Sequence, residues 1–469
     1  MLNLSAVQAV ARMTKGELAA ERYAEALLAR CAAGKSLNAF ITLEPQRVLE
    51  AARAADRRRQ SGSRLGPLHG LPIPVKDSVN TRDYPTTAGT PALRDFRPKA
   101  DAPVVETLVN AGAIVLGKTN LHELSYGWTS NNLAFGAVHN PYGVACIPGG
   151  SSGGTAAAIA AHMAPLGIAE DTEGSIRVPA ALCGVAGFRP TTRRYSTLGA
   201  APISPLFDQV GPHARTVADL VLFDRVASAQ DRAIIAAPLK GVKLALARDY
   251  FFAGLDSQVE RLTSGALGKL RAAGVEFVDA DVPGLAALID LITDQVQNHD
   301  VRVELPKYLR TYGAGVSFEE LIARASPDIQ KIFTQDMAPG GPAFVSEAEY
   351  RAAVDVHLPK LRAAYRDYFA RSGAAALVFP ATMVTAPRIG DDSQVLINGK
   401  PVRFDIAVAR NIAPGSTAGL PGLVLPAGLS GDGLPVSLEF DGPAGSDREL
   451  LALGLAIESV LGPIPAPSL

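Results

Sequence analysis

The segment 149–177 constrains this chain more than any other, because it sets two serine- and glycine-rich turns on either side of an Ala-rich run. It opens Gly149-Gly150-Ser151-Ser152-Gly153-Gly154-Thr155 and closes Glu170-Asp171-Thr172-Glu173-Gly174-Ser175-Ile176-Arg177. The glycines permit φ > 0 and let backbone amides approach a small ligand. A turn of this kind that opens a helix makes an anion pocket. The alanines at 156–161 propagate a helix well and Pro165 closes it, so the second turn can return to the first. Gly154-Thr155 lacks the lysine of a nucleotide loop, which makes a phosphate site the weak reading.

A serine attacks an acyl group at neutral pH only with a base beside it. Upstream, Lys76 ends a short apolar run, Leu71-Pro72-Ile73-Pro74-Val75. A lysine at the buried end of a strand is desolvated, which disfavours its charged form and leaves a neutral amine as base. Moving it from about 10.4 to near 7 corresponds to roughly 4 to 5 kcal/mol, so the burial must be substantial. Taken singly, a Gly-Ser stretch is more often a flexible turn, and a lysine after an apolar run more often snorkels to the surface. Their joint occurrence reverses those odds.

Lys76, Ser151 and Ser175, with Gly-Gly-Ser-Ser-Gly-Gly at 149–154 and Gly-Ser-Ile-Arg-Val-Pro-Ala at 174–180, resemble the amidase signature family. Similar segments continue at 183–191, 204–212 and 411–428, so the resemblance spans roughly residues 60–462. It implies an α/β fold with a central mixed β-sheet flanked by helices on both faces, and no metal or cofactor. It also implies a Ser-cisSer-Lys triad: Ser175 as nucleophile, Ser151 as bridging serine with a cis peptide, and Lys76 as base. The backbone N–H groups of Thr172, Glu173, Gly174 and Ser175 would then cradle an oxyanion, each worth roughly 3 to 4 kcal/mol. Arg177 is expected to pair with Asp171 and hold the turn.

One departure stands out. The family usually reads Gly-Thr-Asp-Thr-Gly-Gly-Ser in this turn, whereas this chain has Glu173 in place of a glycine. At φ > 0 a glutamate there would be strained by about 1 kcal/mol or more, and a carboxylate opposes a developing oxyanion. The preferred expectation is a side chain that points away and caps the turn. The alternative is one that reaches the leaving-group side and binds a cationic or N–H-rich part of the substrate.

The polar and aromatic stretch 117–131 follows a strand, where an α/β sheet usually holds ligand. It resembles the Asn-Met-His-Glu-Leu segment of the indoleacetamide and mandelamide hydrolase branch of the family. Tyr126, Trp128 and Thr129 are candidates to shape an acyl pocket, and His122 reads as a satisfied core histidine rather than a base. The expected activity is hydrolysis of a hydrophobic or aryl- or indole-acetamide-like amide. The alternatives are anilides, carbamates or esters on the same scaffold, or an amidotransferase A-type subunit, against which Val178 stands in place of a glutamine. An α/β-hydrolase esterase ranks low, because the last histidine, His357, has no triad context.

At 469 residues, 48% hydrophobic and 19% charged, the chain is expected to be one amidase domain with a generous core. Within it, residues 1–60 are expected to form a helical layer, 66–228 the core carrying the triad, 298–344 a variable insertion, polar and irregular in composition, covering the substrate, and 373–462 the rest of the core. A net charge of −1 offers no general attraction for nucleic acid or anionic membrane. No apolar run reaches the ~20 residues of a membrane span. Cys31, Cys146 and Cys183 are too scattered for a disulfide framework or a zinc site. A cytoplasmic enzyme with a small-molecule amide as partner is expected, with a homodimer possible.

Overall fold

The computed structural model describes residues 1–468. Eleven strands make one sheet: β1 (Phe40–Thr42), β2 (Pro72–Lys76), β3 (Ile114–Thr119), β4 (Leu166–Asp171), β5 (Ala186–Arg189), β6 (Gln209–Ala214), β7 (Lys243–Leu246), β8 (Glu276–Asp279), β9 (Ala376–Pro380), β10 (Gly422–Leu429) and β11 (Pro435–Asp441). Their spatial order is β1-β3-β2-β4-β6-β5-β10-β11-β9-β7-β8. Parallel pairs lie toward the two ends, β3/β2/β4 and β9/β7/β8, and the strands between them run antiparallel. The sheet is therefore mixed, and helices flank it.

Three of these strands set the site. β2 lies between β3 and β4 and is buried at every position, so the side chain at its end has no route to water. Two prolines in an interior strand would leave gaps in the ladder. The β2/β3 register shifts between Ile73 and Pro74, so Pro74 sits at an irregularity where no ladder donor is needed. β4 is buried along its whole length too, and so shows none of the alternation that marks a half-exposed strand. In sequence it passes for a mere connection.

The Ala-rich run forms a buried helix, Gly153–Ala160. Glycine is required at its start, because a Cβ on Gly154 would lie 2.3 Å from the Asn120 carbonyl oxygen and 2.5 Å from that of Ala39. The N-terminal helices run Ala6–Lys15, Ala20–Ala33 and Pro45–Gln60. Arg57 and Arg58 are exposed on the last of them.

The segment 298–344, polar and irregular in composition, is largely helical. A helix runs Thr293–Tyr312 and is followed by Phe318–Ala323 and Pro327–Lys331, the last continuing into a π-turn to Asp336. Polar residues and Pro306 disguise a buried stripe of Val301, Leu305, Tyr308 and Leu309. That stripe packs with Leu93, Leu124 and Ile203 in a separate cluster over the site. Among the described residues no helix is long and apolar enough to cross a membrane.

Candidate active site

Lys76 is fully buried, and its Nζ donates to Ser151 Oγ at 2.7 Å. Burial pushes the amine below its ordinary value, while Glu170 beside it, at 3.2 Å, pulls the other way. A second buried lysine, Lys118 on β3, makes a useful contrast. It pairs with Asp77 at 3.0 Å and donates to the Val79 and Pro85 carbonyls and to Thr86 Oγ1. Its three protons are all engaged, so it holds loops together. Lys76 is the lysine that faces a hydroxyl able to pass a proton on.

The two turns meet as the sequence suggests. The Gly150–Ser151 peptide is cis. Ser152 N–H donates to the Ser175 carbonyl at 3.3 Å and Ser152 Oγ to the Glu170 carbonyl at 3.0 Å. A Cβ on Gly150 would lie 2.7 Å from the Trp128 carbonyl carbon, so glycine is what lets the first turn lie against the 122–130 loop. In that loop Leu124 and Ser125 both have positive φ, 53° and 60°. Strain of this kind, about 1–3 kcal/mol per residue, is tolerated where surrounding contacts fix the backbone. Here it delivers Ser125 Oγ to Glu170 Oε1 at 2.5 Å.

Asp171 organises the second turn. Arg177 Nε and Arg189 Nε lie 3.1 and 3.2 Å from its oxygens, and Arg177 also reaches Glu439 at 2.5 Å. Burial alone would raise this carboxyl, but the two guanidiniums hold it well below the usual range. The expected Arg177–Asp171 pairing is present. Asp171 also accepts the N–H groups of Gly174 at 2.8 Å and Ile176 at 3.0 Å. This corrects one expectation, since the Gly174 amide is engaged and is not free for an oxyanion. The Thr172, Glu173 and Ser175 amides have no partner among the described residues. Thr172 Oγ1 donates to Asp208 at 2.6 Å, and burial lifts that carboxyl to about 7.

Ser175 opens onto a cavity of about 210 Å³. Tyr126, Trp128, Thr172 and Glu173 line it, and the helical cover contributes Gln297, Asn298 and Met337. Thr129 does not line it. Its hydroxyl bonds His122 Nδ1 at 3.1 Å and the Asn131 N–H at 3.0 Å, so it braces the loop from behind. Burial lowers His122 below its ordinary value, which suits the structural role expected of it. Among the described residues no histidine lines the cavity.

Glu173 departs from the preferred expectation. It has no positive φ, and its side chain lines the cavity, where Oε2 accepts from Gln297 Nε2 at 2.5 Å. The strain foreseen for this position does not arise, because the left-handed conformation falls on Gly174 at φ 121°. Glu170 is the residue the sequence reasoning missed. The signal was a second acidic residue where the family pattern has threonine, on the strand that pairs with the lysine's own.

Fold and site together define an α/β enzyme with a buried lysine–serine cluster at the mouth of a small cavity. The chain belongs to the Amidase family, whose model matches residues 22–451. It is 41% identical to an indoleacetamide hydrolase of Agrobacterium vitis, over 97% of each chain. It is 37% identical to a mandelamide hydrolase of Pseudomonas putida, over 99% of this chain and 93% of that one. The native peptide amidase of Stenotrophomonas maltophilia superposes with a TM-score of 0.82 at 30% identity, covering 99% and 98% of the two chains. The chain is an amidase that hydrolyses the C–N bond of small-molecule amides.

Proposed function

We propose that the substrate is an amide of an aryl-acetic or indole-acetic type acid, cleaved through an acyl-enzyme on Ser175. Neutral Lys76 takes the proton of Ser151 while Ser151 takes that of Ser175, whose Oγ bonds to the amide carbonyl carbon. The carbonyl electrons move onto oxygen and are met by the free amides of the turn. The C–N bond then breaks and the amine leaves with the proton returned through Ser151. Water attacks the ester by the same relay, releasing the acid and restoring Ser175. The observation that carries this reading is the 2.7 Å contact between a fully buried lysine amine and Ser151 Oγ. Protonated, Lys76 would have no proton-accepting capacity, and burial disfavours that form.

The acyl class is supported by the aromatic lining from Tyr126 and Trp128 and by the names of the relatives. We assign the helical segment 298–344 the role of covering bound substrate. The reading carries a cytoplasmic location with it, supported by three unpaired cysteines, Cys31, Cys146 and Cys183, since disulfides are rare in reducing compartments. It is tested by ammonia and amine release over aliphatic amides, aryl-acetamides, anilides, carbamates and esters, with Ser175→Ala as control. Aryl-acetamides should be cleaved fastest. Ser175→Ala should lose roughly four to six orders of magnitude in kcat, the range for deleting a serine nucleophile. Faster cleavage of anilides, carbamates or esters would move the assignment to that class.

A further inference from the structure

The cavity beside Ser175 is one-sided in charge. Glu173, Asp294 and Asp336 line it, and among the described residues no lysine, arginine or histidine does. The donor that reaches Glu173 is shared between acids. Gln297 Nε2 serves two carboxyl groups at once, Glu173 Oε2 at 2.5 Å and Asp294 Oδ1 at 3.2 Å. The Tyr126 hydroxyl donates to Asn298 Oδ1. Glu173 Oε1 accepts nothing among the described residues. Much of the remaining wall is apolar, with Trp128, Ile203, Ile332, Met337 and Ala343. A carboxylate oxygen facing a largely apolar wall is answered best by a ligand that brings a donor, because covering it without a partner when substrate binds is costly.

We infer that Glu173 is a specificity-determining residue whose Oε1 accepts a hydrogen bond from an N–H or O–H carried by the acyl part of the substrate. This rests on the aryl-acetamide reading above and narrows it to acyl groups with a donor, such as an indole ring N–H. Burial, reinforced by Asp294, lifts the Glu173 carboxyl to about 8.

The experiment compares kcat/KM for indole-3-acetamide and benzofuran-3-acetamide, which has nearly the same shape and lacks the donor. It uses wild-type enzyme, Glu173→Gln and Glu173→Ala. Reading the ratio within each variant makes the result independent of any general damage to the turn. Wild type should prefer the indole by about tenfold or more, as for loss of one buried hydrogen bond. Glu173→Ala should bring the ratio to about one, and Glu173→Gln, which keeps a carbonyl acceptor, should retain part of it. Equal cleavage of the two amides by wild type, or a ratio unmoved in Glu173→Ala, overturns the inference while leaving the aryl-acetamide reading intact. If wild type cleaves aliphatic amides but neither aryl-acetamide, that reading falls, and the inference with it.

Discussion

Glu170 Oε1 lies 3.2 Å from Lys76 Nζ, and the same oxygen accepts the Ser125 hydroxyl at 2.5 Å. The parallel register that sets Val75 beside Ile168 brings the ends of β2 and β4 together, so this carboxylate and the lysine share one buried site. A neutral lysine is the competent base, yet it must carry a proton during each acylation. A carboxylate at this distance stabilises that protonated state, which burial opposes.

Glu170→Gln should therefore lower kcat and move the acid limb of kcat/KM to lower pH. The sign follows from the groups around the amine. Burial lowers Lys76; Glu170, Asp171 and Asp208 pull it up, and His122 and His213 also feel its charge. Removing Glu170 leaves burial less opposed, so Lys76 loses its proton at a lower pH. A pH–rate profile checks this. An acid limb that stays in place while kcat falls would assign Glu170 to packing alone.

Much of this site is legible in the sequence, for physical reasons that can be named. Lys76 ends an apolar run and stands in one chain with two Gly-Ser turns, and that combination points to a desolvated amine. The glycines around Ser151 announce close backbone approach, and Asp171 with Arg177 forms a pair within one turn of chain. The helices Ala6–Lys15, Ala20–Ala33 and Pro45–Gln60 lie within the helical layer that the sequence suggests for residues 1–60. Glu170 and Glu173 are different. The role of Glu170 depends on a strand register that no local pattern encodes. The direction of Glu173 depends on Gln297, more than a hundred residues away on a helix whose polar face hid its periodicity.

Gly174→Ala should cost both stability and turnover. Gly174 sits at φ 121°, a region L-residues rarely adopt, and a Cβ there would lie 2.8 Å from Ile412 Cγ2. The backbone penalty is about 1–3 kcal/mol, and relief by rotating the peptide would break the Gly174 N–H to Asp171 bond and turn the neighbouring free amides away. Denaturant unfolding and kcat should both fall. A loss of stability with kcat unchanged would show that the turn's amides do not serve the reaction.

Arg177→Met tests how the second turn is held. The guanidinium is fully buried between Asp171 and Glu439 and also donates to the Ile412 carbonyl at 3.1 Å. Removing it strands two carboxyl groups, and breaking one partner of a buried ion cluster typically costs about 3–5 kcal/mol. Arg189 remains beside Asp171, which favours the lower part of that range. Asp171 is depressed in the folded protein, so its contribution is present above the ordinary aspartate value near 4 and is lost as the pH falls through the folded value. The variant, whose Asp171 is less depressed, should therefore differ most from wild type near neutral pH and least in acid. Urea unfolding at neutral and acid pH measures that difference. A gap that stays constant or widens in acid would show that Arg177 stabilises the fold through its packing rather than through Asp171.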